Sequence, residues 1–126
     1  MDSLSSQDLE QAQSLHNSAM DHAEVALLCR MRGDGGGFET ATKQALELET
    51  QAALIVAGYS QMEPSRSVLL RSAASLALDL HYWQQAERLI CTALAGSPPE
   101  EIAEELRDLL AQAYSERRLQ KNLSFW

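Results

Sequence analysis

Cysteine and proline are scarce in this sequence, and each scarcity excludes a class of structure. The two cysteines, Cys29 and Cys91, lie in separate apolar segments, and neither has a second cysteine or a histidine at metal-ligand spacing. A zinc site and a disulfide framework are therefore not predicted, and we expect both thiols to be buried and reduced. The chain has only three prolines, so helices can run through almost all of it.

Long hydrophobic runs and clusters of positive charge are also missing. No stretch of about 18 uncharged apolar residues occurs, so no membrane-spanning helix is predicted. Residues 1–13 are polar and acidic rather than basic and then apolar, so we expect an unprocessed, soluble, cytoplasmic protein. The net charge of −8 disfavours nucleic acid as a partner, because its phosphates attract clusters of Lys and Arg.

Signatures of catalysis and of cofactor binding are weak. His16 and His22 are six residues apart, a spacing that does not bring two side chains to one face of a helix. The glycine-rich stretch 33–37 lacks the lysine of a phosphate-binding loop and follows no predicted strand. We therefore predict no enzyme, no cofactor and no metal. The alternative from another class is a helical-bundle metal-binding protein or enzyme that uses His16, Asp21, His22 and Glu24.

Apolar residues at helical spacing fill most of the sequence instead. They form five segments, which begin near Ser5 or Ser6, Phe38, Pro64, Trp83 and Ser97. The stretch 33–37 predicts a turn between the first two helices. The third segment is apolar on more than one face, which predicts the centre of the core. The length and the 45% hydrophobic content fit one all-α domain over residues 1–126, with helices in antiparallel hairpins.

The fifth segment carries the clearest start signal. Ser97 is placed to cap the helix, Pro98 suits its first position, and Glu100 stands where a capping-box acid reaches back. Its charged face is expected to be solvated. The tail, 117–126, is mildly basic and ends in Phe125 and Trp126, which must fold back or form an apolar surface patch.

Residues 67–98 resemble a tetratricopeptide repeat. Large and small residues match that pattern in both helices and at the closing proline: Leu70, Ala73, Ala74, Ala77, Ala86, Ile90, Ala93 and Pro98. The match departs from the family where Ala74 replaces the usual glycine and Ala77 the usual aromatic residue. A weaker earlier copy over 23–50 pairs Phe38 with Trp83 and Ala41 with Ala86.

This resemblance implies a right-handed stack of hairpins with a C-terminal capping helix, whose first helices line a concave face for peptides or partner helices. The family's inward positions fall on Val68, Arg71, Ser75, Leu78 and Asp79, and in the weaker copy on Ala26 and Arg30. The basic and amide residues that clamp a C-terminal carboxylate in chaperone-binding members do not recur as a set.

The sequence thus predicts an interaction module: an adaptor, a small chaperone or a regulatory subunit that binds a peptide or helix of another protein. Val68 and Leu78 would supply apolar contact, and Arg30, Arg71 and Asp79 would orient the partner. A further alternative is a self-associating structural protein, a homodimer with Phe125 and Trp126 as its contact.

Overall fold

The protein is all α-helical. A computed structural model describes the backbone of residues 3–125 and the side chains of residues 3–121. It is 84% helical, and no strand occurs within the described range. The five α-helices and one 3₁₀ turn are α1 (Ser6–Met31), α2 (Gly35–Val56), the turn Ser60–Met62, α3 (Ser65–Asp79), α4 (Trp83–Leu94) and α5 (Glu100–Phe125). The predicted fold class is confirmed. No helix among these residues is long and apolar enough to span a membrane.

The start of α1 is a capping box. The Ser5 hydroxyl accepts a hydrogen bond from the Asp8 amide at 3.0 Å, and the Asp8 carboxylate accepts one from the Ser5 amide at 3.4 Å. Two of the amides that lack a partner inside the helix are thereby satisfied. The start near Ser5 or Ser6 was predicted from sequence and is confirmed.

The turn predicted at the glycine stretch is present, but it ends at Asp34, and the glycines that follow belong to α2. Gly33, with φ 76°, is the left-handed residue that ends α1, and Asp34 then caps α2 by accepting the Gly37 amide at 2.9 Å. Gly35 and Gly37 therefore belong to the first turn of α2. A carboxylate cap can organise even a weak helix former, because it satisfies amides that the helix itself leaves unpaired.

The α3–α4 turn repeats this geometry without a glycine. His81 takes the left-handed position at φ 62°, and the Tyr82 amide donates to the Ala77 carbonyl at 2.9 Å. In the α1–α2 turn the Asp34 amide donates to the Cys29 carbonyl at 2.8 Å. Both are Schellman-type helix ends, with an orphaned carbonyl satisfied by the residue just past the helix.

Side-chain pairs show which helices are antiparallel. His16 meets Glu49 at 2.8 Å and Arg30 lies 4.3 Å from the centre of the Phe38 ring, so α2 runs back along α1. Glu87 and Arg117 form an ion pair at 3.1 Å, which sets α5 against α4. Consecutive helices thus pack as antiparallel neighbours, and α3 also contacts α5.

The core is centred on α3, as predicted. Leu70, Ile90 and Leu106 are fully buried and come from α3, α4 and α5. Small residues between them let the helices approach closely. The main cluster also contains Leu46, Ala53, Ala73, Ala74, Ala77, Leu78, Ala86, Leu89, Ala93 and Ala113.

The α1–α2 pair has a different interior. The buried positions of α1 are Ala12, Ala19 and Ala26, one heptad apart, and α2 buries several alanines of its own. Alanines at a helix seam permit a short distance between the axes and leave little room for large side chains. The first hairpin is therefore held by a narrow alanine seam.

One arginine joins the ends of three helices. Arg66, near the start of α3, is 5% exposed and donates to the Ala57, Thr92 and Ala93 carbonyls at the ends of α2 and α4. It also pairs with Glu63 at 3.3 Å. A cation is favourable at helix C-termini, where carbonyls lack partners and the dipole is negative. A Cβ at Gly96 would clash with this guanidinium, so any other residue there would have to displace Arg66.

Two further local predictions are wrong. Helix α5 begins at Glu100, where the Ala103 amide donates to the Pro99 carbonyl, so Ser97 and Pro98 precede the helix and Glu100 is no capping-box acid. Two consecutive prolines delay the start, because the residue before a proline is disfavoured in helical conformation. Cys91 is exposed and Cys29 half-buried, so the thiols are not both buried.

The hairpins correspond in a register different from the one predicted. Matching the turns pairs Gly33 with His81 and Asp34 with Tyr82. With the same offset along the chain, Ala45 of α2 is the position equivalent to Ala93 of α4, and both are fully buried. The predicted pairing of Phe38 with Trp83 does not fit, because the glycines after Asp34 belong to the helix.

Candidate functional site

Helices α1, α3 and α5 run in the same direction. The starts of α1 and α3 line one cleft and their ends line another, while Arg71 and Glu105 join α3 to α5. These three helices therefore form one face of the molecule. On α1, His16, Met20 and Leu27 follow one another at spacings of four and seven, which keeps them on one side of the helix.

One opening on this face, here called the end cleft, lies where α1 and α3 end. It has a volume of about 490 Å³ and is closed on one side by α5. Its lining residues are Arg30, Gly33, Asp34, Gly35, Phe38, Leu78, Asp79, His81, Gln112 and Glu116. Three of them are carboxylates and one is an arginine, so the cleft is acidic.

Arg30, the cation of the end cleft, already has a contact within the protein. The Arg30 guanidinium lies over the Phe38 ring, 4.3 Å from its centre, in a cation–π contact. Asp34 is occupied as the cap of α2. Asp79, by contrast, has no hydrogen bond or ion pair among the described residues. Its carboxylate is therefore available to a cation from outside.

The surroundings of Asp79 disfavour its charge. Partial burial raises the pKa of the Asp79 carboxyl, Arg30 and His81 lower it, and Glu116 raises it again, with a net upward shift. A carboxylate that is partly desolvated and lacks a partner does not stabilise the fold. Such groups are common at functional sites.

Glu116 is held in place by its neighbours. Its carboxylate accepts from the Trp83 indole at 3.1 Å and from the Gln112 amide at 3.3 Å. The Trp83 ring in turn lies 5.7 Å from the His81 ring. Trp83 thus packs inside the protein and connects the α3–α4 turn to α5.

A second opening, the side cleft, lies between α3 and α5. Arg71 and Ser75 line it together with Glu105, Asp108, Leu109 and Gln112, and Gln112 also borders the end cleft. Arg71 forms an ion pair with Glu105. A partner that used Arg71 would have to compete with this acid.

A third opening, the apolar cleft, lies at the starts of α1 and α3 and has a volume of about 380 Å³. Leu9, Val56, Met62, Val68 and Leu69 supply most of its apolar surface. His16 stands at its edge and binds the Glu49 carboxylate through Nδ1 at 2.8 and 3.1 Å.

Glu49 is fully buried, and His16 is its one partner among the described side chains. A buried carboxylate needs such a partner, since an isolated one is strongly disfavoured. The pair therefore fixes the imidazole and leaves Nε2 directed away from Glu49, on the side of the cleft.

The predicted binding residues fall into these three openings. Arg30, Leu78 and Asp79 meet in the end cleft, Arg71 and Ser75 lie in the side cleft, and Val68 lies in the apolar cleft. Leu78 is only 5% exposed and belongs to the core, so it offers a partner little surface. Ala26 is buried in the α1–α2 seam.

Sequence reasoning missed Glu49, Glu116 and Arg66. Glu49 and Arg66 are ordinary helix residues by pattern, and only the tertiary contacts show that they are buried. Glu49 gives one signal in the sequence, because it is a charged residue on the side of α2 that also carries Ala45, Ala52 and Val56.

The residues of the metal-binding alternative are not brought together. His16 is bound to Glu49, and Asp21 and Glu24 are exposed on α1. Within the part of the chain that the structure describes, no three His, Cys, Asp or Glu side chains are grouped as metal ligands. The predicted oligomer contact, Phe125 and Trp126, lies outside the described side chains.

The geometry defines a class: a five-helix, all-α protein with an acidic and apolar face on its odd-numbered helices. No family model, no curated protein and no solved structure matches the chain.

Proposed function

We propose that the protein is a non-enzymatic interaction module, built as a tetratricopeptide-like stack of hairpins, that binds a peptide or helix of another protein on the α1–α3–α5 face. The observation that carries this proposal is the combination of unpaired charge and exposed apolar surface on that face. Among the described residues Asp79 has no hydrogen bond or ion pair, and Leu27, one turn before Arg30 on α1, is 53% exposed.

Several apolar side chains support a docking role. Leu9, Leu27 and Met31, all on α1, are 39%, 53% and 75% exposed. Exposed apolar residues grouped near polar clefts are typical of protein-binding surfaces. A helix laid along α1 and α3 would cover them and use anchors at spacings of three and four.

The test is capture of partners from native lysate by the wild type, a face variant and a matched control. The face variant is Leu27→Ser with Asp79→Lys. The control is Leu54→Ser with Glu47→Lys, because Leu54 is 61% exposed on α2 and both residues lie outside the clefts of the face. Circular dichroism first establishes that all three proteins are equally helical.

We expect at least one protein to be retained by the wild type and by the control and lost by the face variant. Its binding would then be measured with purified components, where we expect the face variant to bind about tenfold more weakly or worse. Capture that the face and control variants affect equally would contradict the proposal.

A further inference from the structure

The last part of α5 is a basic segment that extends beyond the start of α4. Glu116 meets Trp83, the first residue of α4, so later residues of α5 run past the start of that helix. Residues 117–121 are all exposed. From Glu116 to Phe125 the helix extends about 14 Å, at 1.5 Å per residue.

This segment, here called the α5 extension (117–125), has a charge opposite to the rest of the chain. It carries Arg117, Arg118 and Lys121 and no acidic residue, while the whole protein has a net charge of −8. Arg117 is paired with Glu87, and Arg118 lies over the Tyr114 ring of its own helix at 5.7 Å.

The extension is also amphipathic. The apolar side chain of Leu119 is 61% exposed. Arg118 and Lys121 share a different side, three residues apart. An exposed helix with one basic side and one apolar side is suited to a surface that is acidic and apolar.

The end cleft is such a surface. It combines Asp34 and Glu116 with the carboxylate of Asp79, which has no hydrogen bond or ion pair among the described residues. Leu27, which is 53% exposed, lies three residues before Arg30 and so on the same side of α1. Glu116 borders the end cleft of its own chain, and α5 continues from it as one helix to Phe125, so the extension cannot fold back over that cleft.

We propose that the α5 extension of one copy docks on the end cleft of a second copy, so that the protein forms a homodimer by reciprocal exchange of these helices. Two copies related by a twofold axis and facing each other with their α3–α4 turns would make the contact twice. Arg118 and Lys121 would approach Asp79, and Leu119 would cover Leu27.

This inference rests on the proposed function, since it uses the same face and names one occupant of it. Charge complementarity favours the second copy: the acidic cleft and the basic extension belong to one sequence. An unrelated basic helix on the same cleft is an outcome that the test separates.

Sedimentation velocity over a concentration series measures the dimer. We expect the wild type to dimerise, and Arg118→Glu with Lys121→Glu to weaken the dimer about tenfold or more, because an acidic extension then faces an acidic cleft. Asp79→Lys should weaken it similarly, since the carboxylate that the extension approaches is then replaced by a cation that repels it. Arg88→Glu and Glu47→Lys, both on exposed positions elsewhere, serve as controls and should leave it unchanged.

Mixing the two reversed proteins is the decisive step. The reversed extension of one variant then meets the cation introduced at position 79 of the other, and the unchanged basic extension meets the unchanged acidic cleft. We therefore expect a heterodimer at a concentration where each variant alone is monomeric. A wild type that stays monomeric at several hundred micromolar, or a dimer indifferent to both reversals, would overturn the inference.

The two proposals can fail separately. Lysate capture is repeated with Arg118→Glu, Lys121→Glu, which keeps the face intact. A monomeric wild type whose face still captures a specific protein would overturn the dimer and support the proposed function. If both charge reversals weaken the dimer and no other protein is captured through the face, the inference is supported and the proposed function is contradicted.

Discussion

The α1–α2 hairpin and the α3–α4 hairpin share a turn geometry but differ in what fills the space between helices. The first has an alanine seam and buries Glu49 against His16. The second has large aliphatic side chains, such as Leu70 and Ile90, and meets its neighbours around Arg66. Each hairpin thus buries one charged residue, and each satisfies it differently.

The comparison shows that the role of a buried charged residue depends on how many partners it has and on whether those partners are exposed. Glu49 has one partner, whose side chain is 31% exposed and borders the apolar cleft. Arg66 has four partners, three of which are backbone carbonyls at helix ends. Arg66 therefore stabilises the packing of the helix ends, while His16 remains accessible to a ligand. The predictions below test this contrast.

The largest effect is expected at Arg66. Arg66→Met keeps much of the aliphatic stem but removes the guanidinium from three carbonyls and from Glu63, which keeps its hydrogen bonds from Ser67. We expect a loss of about 4 kcal/mol in the free energy of unfolding. Urea denaturation measures it. Arg88→Met, at an exposed position on α4, is the matched control and should change the stability by less than about 0.5 kcal/mol. Equal effects of both changes would refute the role of Arg66.

A smaller effect is expected for the first hairpin. His16→Ala leaves the buried Glu49 carboxylate without a partner, and the partial exposure of the site limits the expected loss to about 2 kcal/mol. The double change His16→Leu, Glu49→Leu removes both polar groups together and should cost clearly less than the single one. A double variant less stable than His16→Ala would contradict this account.

Substitutions in the two turns should change the free energy of unfolding by about 1 kcal/mol each, in opposite directions. Gly33→Ala puts a side chain at φ 76°, which should cost about 1 kcal/mol, whereas His81→Gly relieves a left-handed histidine and should stabilise by up to about 1 kcal/mol. The contact between His81 and Trp83 offsets part of that gain.

Gly35 is the control for the turn comparison. It lies in the first turn of α2 with an ordinary φ and no atom near an added Cβ, so Gly35→Ala should stabilise slightly. If Gly35→Ala and Gly33→Ala had the same effect in thermal unfolding, the left-handed conformation would not explain the cost at Gly33.

The smallest effect concerns Asp79 and depends on pH. Folding raises the pKa of the Asp79 carboxyl, so this group ionises at a lower pH in the unfolded chain than in the folded protein. The stability therefore falls as the pH rises from the unfolded-state pKa through the folded-state pKa. Asp79→Asn should therefore have a slightly higher Tm than the wild type at pH 7. Below the ordinary Asp pKa of 3.8 both states are protonated and the difference should vanish. A lower Tm for the variant at pH 7 would show that Asp79 stabilises the fold.

The local signals of the sequence predicted the fold well where they act over a few residues. Ser5 and Asp8 predicted the start of α1, and the apolar faces of α3 predicted the centre of the core. The errors came where neighbouring signals compete. Gly35 and Gly37 read as turn residues, but the Asp34 cap and the packing of α2 draw them into a helix.

The site was predicted in part, because helical periodicity identifies a face but not the residues that reach across it. Arg30 and Asp79 were singled out from separate repeats, and the structure brings both to the end cleft. Leu78 lies on the predicted helix, but it is buried and not exposed to a partner as predicted. Glu116 could not be predicted, because its place in the cleft depends on how α5 lies against α3 and α4.

The sequence by itself determined the helices, the acidic charge and the contrast between an acidic body and a basic 117–126 segment, because these follow from residue type and local spacing. Only the tertiary structure decided which charges are buried, which carboxylate lacks a partner and which helices share a face. Those properties depend on the packing of residues far apart in the chain. Glu49 and Asp79 are both acidic helix residues, and it is their neighbours on other helices that make one a buried partner of His16 and leave the other open to a ligand.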